Sequence, residues 1–164
     1  MTAGGQERSD PGNGHWSARL TELGIELPQV VAPLAAYGPA TRTGNLVYTA
    51  GQLPIHNGTL LATGKVGAGV PAEDAKALAR QCALNALAAI DALVGIDSVV
   101  KVVKVVGFVA SAPGFDGQPG VINGASELFG EIFGDAGAHA RSAVGVSELP
   151  RNAPVEVEVI AEIG

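Results

Sequence analysis

Cysteine is nearly absent: Cys82 is the only one in 164 residues, so no disulfide can close within the chain. It falls inside a helical pattern with no histidine or aspartate set around it, and reads as a small buried hydrophobe rather than a nucleophile. Aromatics are scarce as well, at 4%, so Val, Ala, Leu and Ile must fill the core. Charged residues make up only 16% against 47% hydrophobic. So little charge on a small protein leads us to expect apolar surface covered by another subunit.

The charge that is present has the wrong sign for nucleic acid. Ten Lys and Arg face sixteen Asp and Glu, for a net charge of −6. Phosphate neutralisation needs the opposite excess, and no basic run compensates, so no nucleic-acid partner is expected. No apolar run approaches the roughly 18 residues that would cross a bilayer. The polar, glycine-rich start of the chain has no apolar h-region. A soluble cytoplasmic protein without a membrane partner is therefore expected. Signature motifs are missing too: no Walker-type glycine loop, no dinucleotide fingerprint, no Gly-x-Ser-x-Gly, and no Cys/His set with metal spacing. No metal is expected.

Residues 1–14 read as a flexible tail, followed by a single domain over 15–164. Trp16, Leu20 and Leu23 at helical spacing, closed by Gly24, predict a short helix on the domain edge. Val30, Val31 and Leu34 predict a strand that Pro39 interrupts. Leu46–Ala50 reads as a strand after the Gly44-Asn45 turn, and Asn57-Gly58 marks a hairpin because both residues tolerate positive φ. Pro71 opens the main helix, with Glu73 and Asp74 in its first turn. Leu78, Cys82, Ala86, Ile90 and Leu93 form its apolar stripe, and Gly95 ends it. Val99–Ala110 is a long valine-rich strand; Lys101 and Lys104 differ in parity, which predicts cover on both faces. A second helix is predicted from about Gly120 to Phe133, then strands over Arg141–Ser147 and Val155–Glu162, the last alternating Val with Glu. The order implies an α+β architecture, a mixed β-sheet with two helices packed on one face.

His15 and His56 are expected to be solvated. Chemistry is instead expected where Arg141 opens a strand after Gly134-Asp135-Ala136-Gly137. An arginine there suits bidentate carboxylate recognition. The same residue could equally form a cross-strand ion pair with Glu156 or Glu158. Both readings stand on the residues alone.

The stretches Gly44-Asn-Leu-Val-Tyr-Thr-Ala-Gly-Gln-Leu-Pro-Ile55, Ala140-Arg-Ser-Ala-Val-Gly-Val-Ser-Glu-Leu-Pro150 and Val155-Glu-Val-Glu-Val-Ile-Ala161 together resemble the YjgF/RidA family (reactive intermediate deaminases, endoribonuclease L-PSP-like), as a divergent subgroup. The resemblance runs over about residues 29–163. It implies a chorismate-mutase-like fold and a homotrimer with sites between subunits. It also implies hydrolysis of enamines and imines, small carboxylate-bearing metabolites, to 2-oxo acids and ammonia, with no cofactor. Two other readings accompany it: a trimeric carboxylate-binding or regulatory protein without turnover, and the endoribonuclease label of some relatives.

By the same resemblance Arg141 matches the carboxylate-binding arginine, and Glu156 the acidic residue that positions the attacking water. Asn123 matches the asparagine of the second helix. Gly51 lies in the segment whose backbone lines the pocket. Ala143 stands two past the arginine, where cysteine is common. The family's Gly-Pro-Tyr-Ser segment reads Gly38-Pro39-Ala40-Thr41 here, so the pocket tyrosine is missing and Tyr37 is the candidate replacement. His139 shares the parity of Arg141 and is a further candidate for the pocket.

Overall fold

A computed structural model describes residues 15–33 and 35–164; the tail expected over 1–14 and the contribution of Leu34 lie outside the described residues. Helix α1 spans Trp16–Glu22, and strands β1 (Ala40–Thr43) and β2 (Leu46–Thr49) form a hairpin. A small hairpin, β3 (Ile55–His56) and β4 (Thr59–Leu60), turns at Asn57-Gly58, both with positive φ. Helix α2 covers Ala72–Val94 and leads to strand β5, Val99–Ala110. Helix α3 (Gln118–Phe133), β6 (Ala140–Val146) and β7 (Val155–Ile163) complete the chain.

The main sheet has the order β1-β2-β7-β5-β6. β5 and β6 are parallel, whereas β7 runs antiparallel between β2 and β5. A helix returns the chain to the same end of the sheet before β5 and again before β6, as parallel connections require. α2 and α3 lie side by side on one face, and α1 packs at the edge of α3. This is the expected α+β, chorismate-mutase-like architecture, with a mixed sheet and two helices on one face.

Alternation along β7 explains the layering. Val155, Val157, Val159, Ala161 and Ile163 are buried beneath the helices, while Glu156, Glu158, Ile160 and Glu162 face the other way. From above, Leu78, Cys82, Ala86 and Ile90 of α2 and Val121, Ile122, Leu128 and Phe129 of α3 close the core. The helices meet so tightly that a Cβ on Gly124 would overlap the backbone carbonyl of Lys76. Lys76–Glu127 (3.0 Å) and Arg80–Glu131 (3.4 Å) bridge their solvent side. Such exposed pairs contribute little beyond register, about 0–1 kcal/mol each. By length and composition α2 could cross a membrane, but here it is a core helix with a buried stripe.

Three local expectations change. No strand forms over 29–33: Pro28 and Pro33 supply no N–H, so the ladder starts after Pro39, and Val31 instead packs against Leu53 and Ile55. Leu93 leaves the apolar stripe and is 45% exposed, at the rim of an open surface groove that it lines with Val30, Pro39 and Ala40. The opposite parity of Lys101 and Lys104 does not put them on opposite faces. β5 shifts register against β7 between Val99 and Lys101 and again between Val102 and Lys104. Each irregularity adds one residue on β5, so Lys101 falls opposite Glu162 and Lys104 opposite Ile160, on one face. Val99, Val102, Val105 and Val109 then all point at the helices. Within one chain β5 is thus covered on its helix side, while Lys104, Val106 and Phe108 remain partly exposed on the other.

Candidate functional site

Arg141 sits on β6 opposite Val105, a fully buried residue facing the helices. Its guanidinium therefore lies on the helix side of the sheet, at the strand edge, partly buried against α3. Nη1 donates to Asn123 Oδ1 at 2.7 Å and to Ser126 Oγ at 3.3 Å. Asn123 and Ser126 are one helical turn apart, which is why both reach the same nitrogen. Nε and Nη2 have no partner among the described residues, so the fork keeps donors for a planar anion.

Sequence alone left open a cross-strand ion pair. The topology excludes it. β5 lies between β6 and β7, and Glu156 and Glu158 sit opposite Phe108 and Val106 on the other face of the sheet. The fifteen-residue offset brings Arg141 and Glu156 onto the same sheet but on opposite faces and two strands apart.

His139 does not project freely. Its Nδ1 meets the Gly137 carbonyl at 2.6 Å, its Nε2 meets Ser126 Oγ at 2.8 Å, and the Phe129 ring stands edge-on at 5.9 Å. Ala143 shares the helix-facing side with Arg141 and packs against the core. Ser126 is the residue that sequence reasoning missed; the Asn123-x-x-Ser126 spacing on the second helix was the signal available.

Glu156 belongs to a second cluster. Its carboxylate lies over Gly51, where any Cβ would overlap it. Burial, and then the like charge of Glu158, pushes the Glu156 carboxyl above the usual glutamate range. Gly51 also lines a small open pocket with Tyr37, Val31, Gln52, Leu53 and Ile55. Tyr37 thus reaches the space beside Gly51, although it is absent from the Gly-Pro-Tyr position. The floor of this pocket is held from below: buried Asn85 of α2 donates to the carbonyls of Leu53 (3.0 Å) and Ile55 (2.9 Å). Asn85, a polar residue inside the apolar stripe, also escaped the sequence reading.

Arg141, Asn123 and Ala143 thus gather at one edge, with His139 behind them, and Glu156, Gly51 and Tyr37 gather elsewhere. Among the described residues no three His, Cys, Asp or Glu side chains form a group able to hold a metal ion.

The family described as Endoribonuclease L-PSP matches residues 28–163. The chain is 40% identical over 153 residues to Protein TCP17 of Trypanosoma cruzi, covering 92% of this chain and 96% of that one. Among solved structures it is similar to the protein Atu1372 of Agrobacterium tumefaciens, of unknown function, with TM-score 0.83 and 45% identity over 91% of this chain and 92% of that chain. The YjgF gene product of E. coli fits with TM-score 0.61 and 30% identity, over 82% of this chain and 93% of that chain. The better fit to Atu1372 agrees with a divergent branch, as the altered Gly38-Pro39-Ala40-Thr41 segment leads one to expect.

Proposed function

Since the chain belongs to the Endoribonuclease L-PSP (YjgF/RidA) family, we propose that it hydrolyses small carboxylate-bearing enamines and imines to 2-oxo acids and ammonia. The observation that carries this reading is Arg141. Its guanidinium is steered by Asn123 and Ser126 and keeps Nε and Nη2 for a substrate carboxylate. Pairing there would hold the adjacent imine carbon in a fixed place for attack.

The remaining chemistry needs water and one group that takes up and returns protons. An enamine first gains a proton at its β-carbon and loses one from nitrogen to become the imine; water then adds to the C=N carbon, and the π pair moves to nitrogen. Collapse of the resulting carbinolamine forms the C=O bond and releases the nitrogen as ammonia. Glu156 suits the proton transfers, because its partial burial brings its carboxyl closer to neutrality than an exposed glutamate. The balance closes with water alone, so the proposed reaction calls for no cofactor.

The separation of Arg141 from Glu156 supports a site shared between copies, with the arginine edge of one subunit facing Glu156 and Gly51 of another in a homotrimer. Tyr48 (39% exposed) and Val144 (45%) leave apolar area on the helix-free face for such contacts. We place this chain in the cytoplasm. The acidic balance of the chain counts against action on RNA.

The test is to generate 2-aminoacrylate in situ with a dehydratase and follow 2-oxo acid release. Native protein should raise the rate at least about tenfold over background, and Arg141→Ala should return it to near background. A native rate at background overturns hydrolysis of this substrate; if 2-oxo acid still binds tightly, the chain is a carboxylate-binding protein. Ribonuclease activity that tracks the purified protein and survives Arg141→Ala would assign the function elsewhere.

A further inference from the structure

We infer that Ser126 and His139 are positioning residues that act on Arg141 through a one-way hydrogen-bond relay and tune the site for a carboxylate. The inference rests on the carboxylate-binding reading above and adds to it His139 and the direction of each bond.

The direction of the relay follows from its last acceptor. The Gly137 carbonyl can only accept, so the proton of the imidazole lies on Nδ1. In the neutral ring Nε2 is then an acceptor, and the Ser126 hydroxyl donates to it. With its proton so committed, the hydroxyl presents lone pairs to Arg141 Nη1. Every link points the same way, from guanidinium to hydroxyl to imidazole to backbone, and bonds in such a chain polarise one another.

Both ends are fixed. Gly137 is buried, and a Cβ there would overlap the backbone of Phe129, so its carbonyl cannot drift from α3. The Phe129 ring sets the plane of the imidazole edge-on. At the other end Asn123 takes the same Nη1, so the guanidinium is held by two residues of one helix face. Arginine has four rotatable side-chain bonds at a strand edge. Holding it before the ligand arrives lowers the ordering cost of binding. His139 thereby contributes without facing the ligand, because both of its ring nitrogens are already engaged.

The measurement is calorimetric affinity for 2-oxobutanoate against its uncharged analogue, 2-oxobutanamide. Ser126→Val and His139→Ala should each weaken oxoacid binding about fivefold, and the double variant should lose no more than either single one, the signature of one shared path. Ser126→Thr, isosteric with the valine variant but keeping the hydroxyl, should bind within about twofold of native. The amide should bind equally to all of them. If Arg141→Ala abolishes oxoacid binding while His139→Ala and Ser126→Val bind as native, the relay is wrong and the site survives. Additive losses, or equal losses of acid and amide, also overturn it. If native protein binds no oxoacid, the carboxylate reading itself fails and the relay falls with it.

Discussion

Arg141 and Glu156 project from opposite faces of one five-stranded sheet, with β5 between their strands. No side-chain motion short of unfolding brings the two groups together around one small molecule. If both serve the reaction, they must do so across two copies of the chain. Arg141→Ala and Glu156→Gln should then each be inactive alone. Co-assembled in equal amounts, they should recover about a quarter of native activity, because random assortment pairs an intact arginine edge with an intact glutamate pocket in about one site in four. Activity of the mixture equal to that of the separate variants would show that the two residues do not share a site between copies.

How far this was legible in the sequence depends on the range of the signal. The alternation of Val155, Val157 and Val159 with Glu156 and Glu158 is a local period, and it gave the right buried face of β7. The Asn57-Gly58 turn is equally local. By contrast, the parity of Lys101 and Lys104 misled because two register shifts restore them to one face, and shifts depend on the partner strand. The strand expected near Val30 failed for a related reason: apolar composition is a weak guide when prolines remove the donors that a ladder needs. Arg141 stands out in the sequence as a candidate, but the insertion of β5 between its strand and that of Glu156 is topology. So is the Ser126–His139 contact, which joins a helix to the segment after it. Spacing in the chain carries no such information.

Glu156 allows a test of electrostatics apart from turnover. Its carboxyl titrates above the usual range because burial, followed by the charge of Glu158, disfavours the anion. The folded state therefore binds more protons than the unfolded state between the ordinary glutamate value and the raised one. Its favourable contribution is complete below the unfolded value and is lost as pH rises through the folded value. Glu156 has no hydrogen bond or ion pair among the described residues that the amide would forfeit. Glu156→Gln should accordingly melt above native protein at neutral pH, and the two curves should converge under acid conditions. Melting temperatures measured across pH decide it: a glutamine variant less stable at pH 7 than at low pH, relative to native, would reverse the sign.

Asn85 ties the Gly51 pocket to the core. It is fully buried, donates to the carbonyls of Leu53 and Ile55, and accepts from Gln81 Nε2 at 3.1 Å. Replacing it with alanine takes the donor from the buried Ile55 carbonyl, leaves the Leu53 carbonyl only the Ile55 N–H at 2.8 Å, and opens a small void beneath the loop. An unsatisfied buried group costs about 1–3 kcal/mol, and water entering the void recovers part of that. A net loss of about 2 kcal/mol is expected, which lowers Tm by about 4–8 °C in a chain of this size. The effect should also be local. Amide exchange should quicken at Leu53 and Ile55, whose backbone N–H groups lie in the released segment, while the β5–β7 ladder keeps its protection relative to global stability. Because Gly51 and Leu53 line the same pocket, KM for the imine should rise several-fold with kcat nearly kept, as loosened binding without altered chemistry requires. An unchanged melting temperature, or an equal fall in kcat and kcat/KM, would show that Asn85 does not support the pocket in this way.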